Sequence, residues 1–386
     1  MISTGTIIVK NAEGQADTSA DVIVSNQIDY IPKVSVIIPI HNAERYLRAS
    51  LDSVMQQTLR EIEIICVDDG STDGSVAILT EYAAQDRRIT LICQQNINAG
   101  VARNAGLSVA RGEYLSFLDA DDFFELNMYE LLYERARQMQ AQICVYESAC
   151  YNMRKGTSYP MPWGLKREQL PSSICFSGED IQKYIFNFAL SWTWNKFFEA
   201  RFIRENNIRF QSIRRTNDLY FVYLALSLAR RITTLNKPLI HYRTGHGNNL
   251  QATNANSPKD WYYALMLLKD KLAKLGLFSR YEQSFVNAAL GGCLYNLHSI
   301  QDKKIKNQLR KELVSKLAYD VGIMKHIKYK SYFYNTGSYH SFLKLLLDTP
   351  QNRFFSLIYH SRRTENYMKH YVLGIQVFKK RIEHVS

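Results

Sequence analysis

Four short apolar runs, with helix-like stretches between them, constrain this chain more than anything else in it. Val34-Ser35-Val36-Ile37-Ile38-Pro39, Ile62–Val67, Ile89–Ile92 and Tyr114–Leu118 are rich in β-branched and apolar residues and too short for helices, so they read as buried strands. Ala43–Thr58 carries Tyr46, Leu47, Leu51, Val54 and Met55 at the spacing of an amphipathic helix, and Ser75–Asp86 and Gly100–Ala110 fit two more. Strands and helices alternating at this interval build βαβ units on a parallel sheet, which takes its ligands at the carboxyl ends of the strands.

The alternation stops after Tyr146. Residues 153–178, with Pro160, Pro162, Trp163, Gly164 and Pro171, read as a long irregular connection, and 179–240 as mixed helix and loop. From Pro258 the pattern is helical: Trp261–Leu275, Arg280–Ser299, Lys303–Tyr319, then shorter pieces broken at Gly337, Pro350 and Gly374. Gly245, Gly247, Asn248, Asn249, Asn254, Asn256 and Pro258 cluster as a soft boundary. The expected division is a polar lead-in or edge element at 1–32, an α/β domain at 33–255 and a helical, basic and aromatic region at 256–386. A length of 386 residues suits two or so domains.

With 46% apolar and 22% charged residues the chain is not globally disordered. It lacks the 18-residue apolar run of a spanning helix. The N-terminus lacks a basic segment followed by an apolar core, so no secretory signal is expected there. The six cysteines form no C-x-x-C pair and read as buried thiols in a reducing cytoplasm.

Charge is uneven. Of a net +12, residues 301–386 carry +11, from 17 basic and 6 acidic residues, together with 13 of the 47 aromatics. Basic residues interleaved with rings suit an anionic membrane surface, with nucleic acid the less favoured partner and a subunit interface in a homo-oligomer the structural alternative. Peripheral attachment to the inner face of the cell membrane is the expectation. The runs Phe342–Leu347 and Phe354–Tyr359 would rest in its interface.

The chemical signal lies in two acidic loops. Asp68-Asp69 follows the second strand and Asp119-Ala120-Asp121-Asp122 the fourth, so both fall on one sheet edge. Five carboxylates there repel unless cations or donors share the site. Asp-x-Asp at a strand end can hold a hard divalent cation through oxygen, and Mg²⁺ often bridges such carboxylates to substrate phosphates; Asp122 alternatively caps the next helix. No G-x-x-x-x-G-K-[ST] or G-x-G-x-x-G is present, which removes the main support for P-loop and dinucleotide readings.

Val34–Asn42, Ser53–Thr58, Val67–Asp73, Ala102–Leu107 and Gly112–Asp122 together resemble family 2 glycosyltransferases of the GT-A fold. Weaker matches follow at Trp194–Phe197, Asn217-Asp218 and His241–Arg243. The resemblance implies an inverting transfer from a nucleotide-sugar donor, UDP-linked above others, to a glycan or lipid-linked acceptor. Surface polysaccharide, lipopolysaccharide or capsule synthesis is the implied setting. By position, Pro39, His41 and Glu44, with neighbouring Asn42, would line the nucleoside pocket. Asp69 would accept a hydrogen bond from the base, and Arg103 would order that wall. Asp119 would meet ribose or metal beside Ala120, and Asp121 would ligate Mn²⁺ or Mg²⁺ bridging the diphosphate. Trp194, Asn195 and Lys196 would border the donor sugar and acceptor. Arg243 would meet the pyrophosphate, and His246 or His241 would complete a metal shell.

Asp218 is the implied general base. It stands in an Asn217-Asp218 pair where the family usually has Glu-Asp, which places Asn217 on the acceptor side. A helix N-cap is the structural alternative for Asp218. Two other functions compete. One is a non-catalytic protein that binds nucleotide sugars or polyanions. The other is a nucleotidyltransferase, which needs a basic, glycine-rich triphosphate loop that this sequence lacks.

Overall fold

A computed structural model describes residues 5–244, 255–347, 359–364, 367–372 and 375–381. Two compact units divide at Ala288/Ala289 rather than near residue 255. The first holds a twelve-stranded sheet.

Chain order in this unit begins with strands β1 (Gly5–Lys10), β2 (Ala16–Val24) and β3 (Val34–Ile40). Helix α1 (Glu44–Met55), β4 (Ile62–Asp69), α2 (Ser75–Gln85), β5 (Ile89–Gln94), α3 (Ala99–Val109) and β6 (Tyr114–Phe117) follow, as the alternation requires. Next come β7 (Phe123–Phe124), α4 (Met128–Met139), β8 (Ile143–Asn152), β9 (Thr157–Pro160) and β10 (Cys175–Phe176). The last part is β11 (Lys196–Glu199), α5 (Ala200–Glu205), α6 (Asn217–Leu228), β12 (Ile232–Thr244), α7 (Asp260–Lys274) and the start of α8 (Phe278–Ser299).

The sheet order is β1-β2-β5-β4-β3-β6-β11-β8-β12-β10, with β7 on β12 and β9 on β8. The sheet is mixed, where a mainly parallel one was expected. β5, β4, β3 and β6 are parallel, but β11 is antiparallel to both β6 and β8, and β12 runs parallel to β8. Residues 1–32 supply an antiparallel edge hairpin through β1 and β2. The span 179–240, read as helix and loop, supplies β11 and much of β12. Because β11 opposes its neighbours, β8 and β12 point the same way as β6. The carboxyl ends of β3, β4, β6, β8 and β12 therefore share one edge with the amino end of β11. The strand order reverses beside β3, between β4 and β6, which is where a crevice forms in such sheets.

β3 and β4 are buried along their whole length, as strands covered on both faces must be. Glu63 is fully buried within β4, and its carboxylate accepts from Ser35 Oγ at 2.6 Å, Asn26 Nδ2 at 3.1 Å and the Arg111 amide at 2.6 Å. A buried charge satisfied this way ties three segments of the sheet together. On one face α1 turns Leu47, Leu51 and Val54 inward, at helical spacing. On the other, Phe117, Phe198, Phe210 and Phe221 form one aromatic cluster, with Phe210 and Phe221 stacked at 4.1 Å. Each such ring is worth roughly 1.5–3 kcal/mol on burial, so α6 is held firmly, with its first turn linked through Arg103 to the loop after β6.

The second unit continues α8 and adds α9 (Lys303–Glu312), a π-turn at Leu313–Leu317, and α10 (Ala318–Asp320), α11 (Ile323–His326) and α12 (Thr336–Leu347). The helical expectation ends there. Residues 359–381 contribute a three-stranded antiparallel sheet, β13 (Tyr359–Thr364), β14 (Tyr367–Val372) and β15 (Ile375–Arg381). Phe342 is fully buried in α12, as in an ordinary packed helix, and residues 354–358 of the second apolar run lie outside the described residues. Among the described residues no helix is long and apolar enough to cross a membrane.

Candidate active site

His41 opens the loop after β3, and its Nδ1 lies 2.9 Å from the carbonyl oxygen of Asp69. A carbonyl only accepts, so the ring proton is assigned to Nδ1 and Nε2 is left as an acceptor, 3.3 Å from Asn96 Nδ2. Asp69 ends β4. Gln94 Nε2 and the Ile97 amide both donate to its Oδ1, at 2.7 and 2.9 Å. Burial raises this carboxyl above its ordinary value, and those two hydrogen bonds oppose the rise. Gly70 follows at φ +69°, and a Cβ there would stand 2.7 Å from the Asn96 nitrogen, so glycine lets the next loop close on Asp69.

Pro39 lies within β3, paired with Val67. Asn42 and Glu44, expected beside a nucleoside, also fasten loops. Asn42 Oδ1 accepts from the Thr72 amide at 2.7 Å, and Glu44 Oε2 from the Gly74 amide at 2.9 Å. Both line an open groove with Arg45, Arg48 and Asp73.

The acidic loop leaves β6. One oxygen from each of Asp119, Asp121 and Asp122 lies within 4.8 Å of the others. Ala120 turns into the hydrophobic core. Asp122 is 1% exposed; its Oδ1 accepts from the Arg243 amide at 2.8 Å, and its Oδ2 has no partner. Burial above all, then the charges of Asp121 and Asp119, hold this carboxyl well above the usual range. An unpaired, buried carboxylate oxygen in an all-oxygen cluster of three acids fits a hard divalent cation. Asp122 is not a helix cap: α4 begins only at Met128, and the side chain binds β12. Sequence reasoning left this residue out of the cation set, although the Asp-Ala-Asp-Asp run itself was the signal.

The Arg243 guanidinium lies 4.9 Å from the Phe123 ring centre and 5.4 Å from that of Tyr46, with its buried Nε unpaired. His241 stacks on Phe123 at 4.6 Å, and its two nitrogens face Ser158 Oγ at 2.6 Å and Glu125 Oε1 at 2.7 Å. His241 therefore does not join the acids. His246 lies outside the described residues.

Asp218 occupies the first turn of α6, behind the cap residue Thr216, and is no N-cap. Burial pushes its carboxyl up to about 6, against the opposing charge of Arg103. Arg103 is 6% exposed and donates from Nη2 to Asp119 Oδ1 at 2.6 Å and from Nη1 to Asn217 Oδ1 at 2.9 Å. Asn217, expected to face the acceptor, is instead buried against this arginine.

The Trp194–Lys196 segment also turns inward. Trp194 is 3% exposed and stacks on Tyr242 at 5.8 Å, while the Tyr146 hydroxyl donates to its carbonyl. Asn195 and Lys196 are fully buried. Lys196 Nζ donates to Leu190 O at 2.6 Å and to Trp192 O and Asn195 Oδ1 at 2.7 Å each. Burial pulls this amine down to about 7, with Asp218 opposing. Three acceptors call for three N–H donors, which the ammonium supplies and the amine does not. Lys196 thus shapes the 190–195 loop from inside. Lys196→Met is expected to leave those acceptors unpaired and to cost ~2–4 kcal/mol of stability, read as a lower urea midpoint. An unchanged midpoint would return this side chain to ligand binding.

A family model described as Glycosyl transferase family 2 matches residues 35–204. Glycosyltransferase GlyA of Streptococcus pneumoniae is 35% identical over 218 residues, 56% of this chain but 31% of GlyA. Glycosyltransferase GlyG of the same organism is 32% identical over 223 residues, 56% of this chain and 72% of GlyG. The chain thus spans less than a third of one curated relative and nearly three quarters of another. The crystal structure of S. aureus TarS 1-349 in complex with UDP-GlcNAc shares the fold, with a TM-score of 0.58 at 17% identity, over 92% of this chain and 100% of that one.

Proposed function

This chain belongs to glycosyltransferase family 2, and from that membership we propose that it transfers a sugar from a nucleotide-sugar donor to a glycan or lipid-linked acceptor, with inversion, in surface-polysaccharide synthesis. The observation that carries this reading is the link through Arg103, which joins the acidic loop to the turn bearing Asp218. Binding groups for a diphosphate and a candidate base are thereby held on one sheet edge. A UDP-linked donor is favoured because TarS, of like fold, was crystallised with UDP-GlcNAc.

The roles follow from the chemistry of each group. Asp69, anchored through Oδ1, accepts from the base of the nucleotide, and His41 lies against that base from the β3 side. Asp119, Asp121 and Asp122 would hold Mn²⁺ or Mg²⁺, which when bound offsets the charge gathering on the diphosphate leaving group. Arg243, with a free Nε beside the acids, donates to the same phosphates. Asp218 takes the proton of the acceptor hydroxyl as its oxygen attacks the anomeric carbon in line with the departing phosphate oxygen.

A base must be ionised to work. With Asp218 raised to about 6, kcat/KM at saturating cation is expected to rise with pH through that value and level above it. A profile flat from pH 4.5 to 8 would contradict the assignment. The reading itself is tested by a screen of UDP-, GDP- and TDP-sugars for nucleotide release. Tight binding without turnover would favour the non-catalytic alternative, and pyrophosphate release from a nucleoside triphosphate supplied with a sugar 1-phosphate the nucleotidyltransferase.

A further inference from the structure

We propose that Arg103 and Asn217 are positioning residues that bolt the helix bearing Asp218 to the acidic loop, and that the amide at 217 makes this link without placing a second negative charge beside Asp218. The proposal rests on Asp218 being the base. Arg103 rises from α3 and splits its two Nη groups between two elements, one toward Asp119 and one toward Asn217. Its guanidinium also sits 5.6 Å from the Phe210 ring centre. A planar fork of this kind fixes direction as well as distance.

Asn217 is bound from both sides. Its Oδ1 accepts from Arg103, and its Nδ2 donates to Ile213 O at 3.4 Å. The amide supplies one acceptor and one donor in that arrangement, which a carboxylate does not. A carboxylate would keep the first contact, set an oxygen against the Ile213 carbonyl, and place a second negative charge beside Asp218.

The backbone around this clamp is tight. A Cβ on Gly100 would stand 2.9 Å from the Asn217 Cβ and 2.5 Å from Gln211 O, so α3 and the start of α6 approach as closely as glycine allows. Thr216, a β-branched residue, is held at φ +57° just before the helix. Such a conformation persists where its surroundings over-determine it. The charged groups that act on Asp218 are Arg103 on α3, Asp119 on the acidic loop and Lys196 on β11; Tyr223 lies further along α6.

Three variants test the clamp: Asn217→Leu, Asn217→Asp and Arg103→Lys. The readouts are UDP binding with Mn²⁺ by calorimetry, kcat, the pH profile of kcat/KM and thermal melting. Asn217→Leu removes the acceptor and is expected to lower kcat by about 10–100-fold, while UDP affinity changes less than about threefold. Arg103→Lys loses the fork and is not expected to restore the link. Asn217→Asp retains turnover, but the added charge disfavours ionised Asp218. Its acid limb therefore moves to higher pH, by at least about half a unit.

Wild-type kcat in a folded Asn217→Leu, or an unmoved limb in Asn217→Asp, would overturn the proposal. If Asn217→Leu does not melt cooperatively, Asn217→Asp and Arg103→Lys decide. Asp218→Asn serves as the separate control. If that variant keeps both its rate and its acid limb, the base assignment has failed, whatever Asn217 shows.

Discussion

Asp218→Asn is expected to bind UDP as the parent does and to turn over about 10²–10⁴-fold more slowly at saturating donor, the usual worth of a general base. The side chain points from the first turn of a helix pinned by the aromatic cluster, so an isosteric amide leaves its surroundings in place. Asparagine cannot take up the proton that the attacking hydroxyl must lose. The acid limb near pH 6 should vanish along with the rate. A variant that loses UDP binding but keeps its rate at saturation would make Asp218 a binding residue instead.

Removal of divalent cations has the second large effect. Excess chelator is expected to abolish transfer, and Mn²⁺ or Mg²⁺ to restore it. The physical reason lies in the acidic cluster: Asp122 is buried with one oxygen unpaired, and Asp121 and Asp119 stand close by. Loss of a single oxygen ligand, as in Asp121→Asn or Asp122→Asn, should weaken Mn²⁺ binding at least about 10-fold, followed in the presence of UDP by the signal of free Mn²⁺ in electron paramagnetic resonance. Full turnover in excess chelator would remove the cation from this account. Unchanged Mn²⁺ affinity in both variants would move it elsewhere.

The first half of the fold was legible because strands buried on both faces are written as continuous apolar runs. β3, β4, β5 and β6 fall where Val34–Pro39, Ile62–Val67, Ile89–Ile92 and Tyr114–Leu118 placed them. β12 was not legible. Asn236, Lys237 and Pro238 interrupt its apolar pattern, and the register shifts on both sides of Pro238. β13, Tyr359-His360-Ser361-Arg362-Arg363-Thr364, is polar in sequence, and the breaks at Pro350 and Gly374 end helical pieces without marking the segments between them as strands.

The acids of the site were legible because carboxylates at the ends of parallel strands must converge on one edge. The burial of Lys196 and Asn217 was not. Lysine is rarely fully buried, and its three carbonyl-type acceptors come from loop geometry rather than from composition. The partner of Asn217 is 114 residues away, beyond any local pattern. The same holds for His241, whose imidazole is committed to Glu125 and Ser158 across the sheet.

The central claim is that this edge breaks the bond between a sugar and a nucleoside diphosphate. Phosphorus NMR of a UDP-sugar incubated with the protein, Mg²⁺ and a candidate acceptor follows that bond directly. The account predicts that the donor's two resonances are replaced by those of UDP, that Asp218→Asn slows the change by two to four orders of magnitude, and that chelator stops it. Intact donor across the panel of UDP-, GDP- and TDP-sugars, or a nucleoside monophosphate and a sugar 1-phosphate in place of a nucleoside diphosphate, would contradict it.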